Sequence, residues 1–184
     1  MSEPEEPTRR LFFALWPADA LRDRIEHETR HATRHSGGRV IPARNLHITL
    51  AFLGSTPESR VADALLCQRE TRVRPFELVL GELRWWERQE LLCLEPSESA
   101  DNGAAPLSEL AGQLHKALRA RGFTIEPRPF RAHMTLARDV RRAHEFKPVK
   151  QLRWLVDGVA LVQSQTLAKG PEYSVVASVG VKKT

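Results

Sequence analysis

Two short runs of the sequence share one alternation of apolar and polar residues, and each carries a histidine and a threonine two positions apart. The two patterns are His47-Ile48-Thr49-Leu50 and His133-Met134-Thr135-Leu136. Short alternating runs bounded by proline, glycine and charged residues predict β-strands. Because successive side chains of a strand point to opposite faces, each histidine should share one face with its threonine.

The same alternation predicts which neighbours surround each pair. In the first strand it turns Ile48, Leu50 and Phe52 toward a core and leaves Ala51 beside the histidine and threonine. The second strand gives the same division, with Ala137 in the equivalent small position. Two imidazoles and two hydroxyls on open strand faces suit acid–base chemistry on a phosphate ester.

Two further His-x-Thr strings occur near the N-terminus but are discarded as active-site pairs. They are His27-Glu28-Thr29 and His31-Ala32-Thr33. Both lie in residues 18–34, where the apolar positions have helical spacing. Residues two apart on a helix do not face each other, so these pairs cannot act together.

Residues 27–31 also match the His-Glu-x-x-His string of zinc metalloproteases, which is the competing interpretation. On a helix, His27 and His31 would share one face with Glu28 beside them. The neighbouring Arg24 and Arg30 make this a charged, solvated face rather than a buried catalytic helix. We therefore expect no metal site and no cofactor.

Composition places the chain among ordinary globular proteins. Its 184 residues, 41% hydrophobic and 28% charged, suit one domain with a substantial core. No run of about eighteen apolar residues occurs, so no membrane span is expected. Residues 1–8 are acidic and contain proline, which predicts a disordered tail rather than a signal peptide. With only Cys67 and Cys93, no disulfide framework is expected, which favours a cytoplasmic location.

The net charge of +5 favours an acidic partner. Arginine clusters at residues 128–131 and 138–142 flank the second histidine strand. An arginine-rich rim beside a phosphate-sized site would attract and hold a polyanion.

The order of predicted elements suggests two similar halves. The expected helices are 18–35, 58–71 and 106–122, the last with leucines on one stripe. The expected strands are 10–15, the two histidine strands, 76–83, 91–94, 158–162 and 173–181, with a loop at 95–105. This order predicts an α+β fold in which two β-α-β lobes form a single domain over residues 9–184.

The motifs resemble those of the two-histidine phosphoesterase superfamily, most closely the RNA 2′,3′-cyclic phosphodiesterases first described as 2′-5′ RNA ligases. The resemblance runs nearly end to end, from residues 10–15 through both histidine strands to residues 161–164, Gly170 and Tyr173. Ala132 departs from the family, which usually has proline before the second histidine. The resemblance implies two mostly antiparallel sheets, pseudo-two-fold lobes and a central groove, with helices packed outside.

The resemblance also implies roles for five residues. His47 would donate a proton to the leaving 3′ oxygen, and His133 would accept one from water, leaving a 2′-phosphate. Thr49 and Thr135 would bind the phosphate, and Arg138 matches a family arginine that contacts it. Sequence alone cannot assign which histidine is the acid. Strict alternation would also place Arg138 opposite His133, so its role requires a strand end or a bulge.

Three hypotheses follow. The first is a metal-independent phosphodiesterase acting on RNA ends or oligonucleotides that carry a cyclic phosphate, expected as a monomer. The second is a 2′-5′ RNA ligase that uses the same site toward bond formation, although its equilibrium in water opposes ligation. The third is an RNA- or nucleotide-binding module without turnover, which the presence of both histidines disfavours.

Overall fold

The computed structural model describes residues 6–99, 101–142, 146–167 and 170–180, with Leu167 described by its backbone alone. The helices are α1 (Asp19–His35), α2 (Glu58–Glu70) and α3 (Ala104–Ala120), with short 3₁₀ turns at Ala43–Asn45 and Glu87–Gln89. The strands are β1 (Thr8–Leu15), β2 (Arg39–Val40), β3 (Ile48–Pro57), β4 (Phe76–Trp86), β5 (Leu91–Pro96), β6 (Met134–Arg138), β7 (Leu152–Val156), β8 (Gly158–Leu167) and β9 (Gly170–Gly180).

The strands form a curled antiparallel sheet in the order β7-β4-β5-β6-β3-β1-β8-β9, with β2 paired to β6. Along this order four strands lie on each side of the junction between β6 and β3, and β2 adds a fifth to the β6 side. Within the described residues the two halves pair at one position, where Ile48 faces Met134. These residues directly follow the two histidines, so equivalent positions of the two halves meet. Continuing this antiparallel register brings His47 toward Thr135 and Thr49 toward His133.

The main core lies on one face of this sheet, beneath the helices. The leucine stripe of α3 is buried against it at Leu107, Leu110, Leu114 and Leu118. A left-handed Gly122 (φ +73°) follows the helix, where a glycine backbone suits the turn. The opposite sheet face carries a smaller cluster of Phe12, Ala14, Ala160 and Val162, with Trp16 and Tyr173 packed against it. The site lies against this second cluster.

The predicted α+β fold is confirmed, with four differences in detail. The two sheets that the resemblance implied are joined into one, through the pairing of β3 with β6. Strands β2 and β7 were not predicted; β7 alternates buried and exposed residues, but its exposed Leu155 is apolar and hides the pattern. The predicted tail overlaps ordered structure, since Thr8 begins β1 and the Glu6 carboxylate accepts a hydrogen bond from Ser59 N at 2.7 Å. Residues 1–5 lie outside the described residues.

No helix in the described part of the chain is both long and apolar enough to cross a membrane.

Candidate functional site

The two histidines are held in the same way, although they lie in different halves. His47 Nδ1 lies 2.6 Å from the backbone oxygen of Asn45, and His133 Nδ1 lies 2.8 Å from that of Arg131. A carbonyl oxygen only accepts hydrogen bonds, so each Nδ1 carries a proton and donates it. Each Nε2 is therefore the atom left for chemistry, and in a neutral imidazole it is an acceptor.

The first histidine strand departs from strict alternation after Thr49. Register shifts interrupt the pairing of β1 with β3, between Leu11 and Phe12 and again between Phe13 and Ala14. Ala51 is consequently buried in the main core, whereas Phe52 is 60% exposed. The expectation that Phe52 faces the core and Ala51 the ligand was therefore wrong, because a bulge at Leu50 reverses the facing of both residues that follow it.

An equivalent shift in the second half answers the question about Arg138. The pairing of β5 with β6 shifts between Leu92 and Cys93, so Leu136 is the extra residue of β6. Leu136 and Ala137 are both buried, and Arg138 returns to the side of His133 and Thr135. Arg138 occupies the position, relative to His133, that Phe52 occupies relative to His47.

All five predicted site residues line one cavity of about 490 Å³. They come from both halves of the sheet. The residues are His47, Thr49, His133, Thr135 and Arg138. Within it, Thr49 Oγ1 lies 3.1 Å from His47 Nε2.

His47 is enclosed by three aromatic rings that the sequence did not assign to the site. Its ring centroid lies 4.9 Å from that of Phe12, 5.5 Å from the stacked ring of Trp16, and 5.4 Å from the edge-on ring of Tyr173. Phe12 lies on β1 and Tyr173 on β9, far apart in sequence, so only the sheet order brings them together.

Among the residues that the structure describes, His133 has one aromatic neighbour, and a charged network surrounds it instead. Its ring lies 4.3 Å from that of Trp86, and the guanidinium of Arg131 lies 4.6 Å from the same indole. The Glu95 carboxylate ties these groups together, accepting from Trp86 Nε1 at 2.7 Å and from Arg131 at 2.8 Å. The neighbouring Trp85 is held separately, because its Nε1 donates to Val140 O at 2.8 Å.

These surroundings disfavour the charged form of both imidazoles. Burial is the largest cause that lowers the pKa of His47 to about 4, with Arg138, His133 and Arg22 adding to it and the bond to Asn45 opposing it. Burial also lowers the pKa of His133. There, the Arg131 carbonyl and the Glu95 carboxylate act in the opposite direction.

A second cavity of about 660 Å³ adjoins the first and shares five lining residues with it, which are Thr49, Phe52, Gln89, Arg128 and His133. His115 lines this cavity, half-buried, with its Nε2 2.7 Å from Leu50 O. The cavity combines apolar walls with an arginine rim, and its other lining residues include Arg84, Trp85, Trp86, Arg88, Ile125, Phe130 and Arg131.

The competing zinc string lies on the outer face of α1. His31 and His35 stack on each other at 4.3 Å, and His27 is exposed. Among the described residues there is no group of three or more His, Cys, Asp or Glu side chains placed to hold a metal ion.

Comparison with known proteins agrees with this geometry. A sequence profile described as the 2′-5′ RNA ligase superfamily matches residues 17–167. The chain belongs to the 2′-5′ RNA ligase superfamily. The matched range contains both histidine strands and all five predicted site residues, so the resemblance inferred from the motifs is confirmed.

Characterised relatives resemble the chain along most of its length. A protein of Thermus thermophilus named RNA 2′,3′-cyclic phosphodiesterase is 34% identical over 182 residues, covering 90% of this chain and 87% of that protein. One of the same name from Escherichia coli is 32% identical over 148 residues, 80% of each chain. The crystal structure of E. coli LigT complexed with 3′-AMP has a TM-score of 0.83 at 28% identity, covering 96% of this chain and 99% of that chain.

Proposed function

We propose that the protein hydrolyses RNA 2′,3′-cyclic phosphodiester ends to 2′-phosphomonoesters by acid–base catalysis between two histidines. The observation that carries the proposal is the shared cavity: His47 and His133, each anchored at Nδ1, line it together with Thr49, Thr135 and Arg138. The relatives named RNA 2′,3′-cyclic phosphodiesterase support the same reaction.

The reaction requires one proton acceptor and one proton donor. Water attacks phosphorus as His133 Nε2 accepts its proton, so a new P–O bond forms. The bond from phosphorus to the 3′ oxygen breaks, and His47 Nε2 gives its proton to that oxygen. The product carries a 2′-phosphate and a 3′-hydroxyl. Histidines contributed by opposite halves of the sheet suit this division, because attacking and leaving oxygens lie on opposite sides of phosphorus.

The donor role requires His47 to be protonated, which its surroundings disfavour in the free protein. A bound phosphodiester changes this balance, because an anion near an imidazole favours the charged form. We therefore infer that the bound substrate raises the pKa of His47. His47 then carries the proton that the leaving oxygen needs. Burial then strengthens the interaction, since charges attract more strongly where water is excluded.

Thr49, Thr135 and Arg138 are proposed to bind the non-bridging oxygens. Hydroxyl donors and a guanidinium complement the charge that develops there as the reaction proceeds. The sheet register supports this arrangement because it brings each threonine toward the histidine of the other half.

The proposed partner is the end of an RNA chain rather than a protein surface. The cavity of about 660 Å³ beside the histidines has room for a nucleotide, and its arginine rim complements a polyanion. We further expect a monomeric protein that acts in the cytoplasm.

The test is to incubate an oligonucleotide ending in a 2′,3′-cyclic phosphate with EDTA-treated protein and to identify the terminal group. A 2′-phosphate without added metal is expected. A 3′-phosphate, or turnover only after a divalent metal is restored, would contradict the chemistry. Binding without any product would favour the non-catalytic hypothesis.

An acceptor oligonucleotide with a free 5′-hydroxyl tests ligation in parallel. A predominantly 2′-5′ linked product would favour the ligase.

A further inference from the structure

Arg22 is a charged side chain buried beneath the site, and the proposed reaction gives it no contact with substrate. It lies on α1 with only 7% of its surface exposed. Its Nη1 donates at 3.2 Å to Asp19, whose carboxylate side chain is 92% exposed, and at 3.2 Å to the backbone oxygen of Arg44. Its Nε is buried and has no hydrogen-bond partner among the described residues.

Burying the Arg22 guanidinium in this way lowers the stability of the folded protein. A buried guanidinium loses its hydration, and an exposed carboxylate compensates only weakly. A methionine would fill similar space without that cost, because replacing buried charge with apolar side chains is often neutral or stabilising. The position of the guanidinium therefore calls for another explanation than packing.

Two connections lead from Arg22 to His47. In the first, the guanidinium lies over the Trp16 ring, 4.7 Å from its centroid, and Trp16 stacks on the His47 ring at 5.5 Å with 25° between planes. The cation, the indole and the imidazole thus form one stack. Both a guanidinium and an ammonium are attracted to the face of an indole, but only the planar guanidinium can stack flat on it.

The second connection runs through the backbone. Arg22 holds the carbonyl of Arg44 in the 3₁₀ turn Ala43–Asn45, and the next carbonyl, that of Asn45, accepts the Nδ1 proton of His47. The same Asn45 side chain donates to Pro171 O on β9 at 3.1 Å. Both the ring plane of His47 and its Nδ1 anchor therefore depend on elements that Arg22 contacts.

We propose that Arg22 is a positioning residue for His47, fixing the imidazole through the Trp16 stack and through the 3₁₀ turn. This goes beyond the proposed function, and its activity readout rests on that function. The charge of Arg22 also opposes protonation of His47, together with Arg138 and His133, which face the same ring from the opposite half, while Tyr173 presents a ring edge. Burial is the larger cause, and the charge of Arg22 adds to it in keeping the free imidazole neutral.

The variants Arg22→Met and Arg22→Lys separate charge from shape, and Arg24→Met, at an exposed position of the same helix, is the matched control. With a cyclic-ended oligonucleotide, Arg22→Met should lower kcat by roughly 10- to 100-fold, the order expected for a misplaced catalytic group. KM should change less than about twofold, because Arg22 is not among the residues lining the substrate cavity. Arg22→Lys should keep most of the kcat defect, since it lacks the planar fork.

An NMR titration of His47 supplies a readout that does not need turnover. Removing the positive charge in Arg22→Met should raise the pKa of His47, whereas Arg22→Lys should leave it close to the wild-type value. Arg24→Met should change neither kcat nor the titration. A wild-type kcat and unchanged titration in Arg22→Met would overturn the proposal. If Arg22→Met does not fold, a wild-type kcat in Arg22→Lys would overturn it.

These outcomes are distinct from failure of the proposed function. An inactive wild-type protein would refute the phosphodiesterase, while the His47 titration in the variants would still test Arg22.

Discussion

His47 and His133 have the same anchor at Nδ1 but different surroundings. The difference bears on which histidine acts as the acid and which as the base. His47 lies among Phe12, Trp16 and Tyr173, whereas His133 lies beside Trp86 with the Glu95 carboxylate nearby. A neutral imidazole beside a carboxylate suits proton acceptance, since the carboxylate stabilises the imidazolium that results. An imidazole in an aromatic enclosure gains a proton mainly when an anion arrives. The surroundings therefore support His133 as base and His47 as acid.

Replacing either histidine tests this pairing. His47→Ala and His133→Ala should each lower kcat by about 10²- to 10⁴-fold, the usual contribution of a general acid or base. The double variant should lose less than the product of the single losses, because both groups act on one transition state. Rates measured with a cyclic-ended oligonucleotide provide the check, with His27→Ala as the control. Loss of activity in His27→Ala but not in the other two would instead support the zinc interpretation.

The lowered pKa of His47 predicts a response to anions. In the free protein it should titrate near pH 4, so the imidazole is neutral at pH 7. Saturating inorganic phosphate should raise this pKa by roughly 1 to 3, because a nearby opposite charge favours the protonated form. An NMR titration of His47 with and without phosphate measures the change. An unaltered His47 titration, with phosphate shown to bind, would contradict substrate-assisted protonation.

The strands show what alternation can and cannot predict. Alternation correctly placed His47 with Thr49 and His133 with Thr135, because each pair spans only two residues before a bulge begins. It failed beyond that point, since a bulge depends on the partner strand and has no signature in the run itself. Phe52 and Arg138 occupy the positions that the bulges redirect. The aromatic enclosure of His47 was equally hidden, because it requires residues brought together by sheet order.

At the scale of the strand, the β6 bulge gives Arg138 a testable role. Arg138→Gln should raise KM for a cyclic-ended oligonucleotide about tenfold or more, because a charge-assisted bond to phosphate is worth about 1.5 to 3 kcal/mol. Arg141→Gln removes the same charge from an exposed position outside the cavity and is the matched control. Equal effects of the two substitutions would mean that only the overall charge matters and that the bulge has no specific part in binding.

At the scale of the whole molecule, the two halves of the sheet are paired by Ile48 and Met134 but share one core. The main cluster contains Leu11 and Phe13 of the first half together with Leu78 and Leu94 of the second. The helices cover both halves, so neither half can bury its apolar face without the other. We therefore propose that the chain from β1 onward is a single folding unit, and that the site lies where its halves meet so that each supplies one histidine.

Substitution of Ile48, where the two halves of the sheet meet, tests whether the chain is a single folding unit. Ile48→Ala removes a fully buried side chain and should lower the free energy of unfolding by about 2 to 5 kcal/mol, with one cooperative transition retained. Three of the four tryptophans lie in the second half, so in Trp16→Phe variants fluorescence reports that half alone. The urea midpoint measured by fluorescence should coincide with the midpoint measured by far-UV circular dichroism, which reports both halves. Leu155→Ala, at a side chain 64% exposed, should change stability by less than about 0.5 kcal/mol. Separate midpoints for the two signals would mean that the halves fold independently and that the histidines are brought together only by docking.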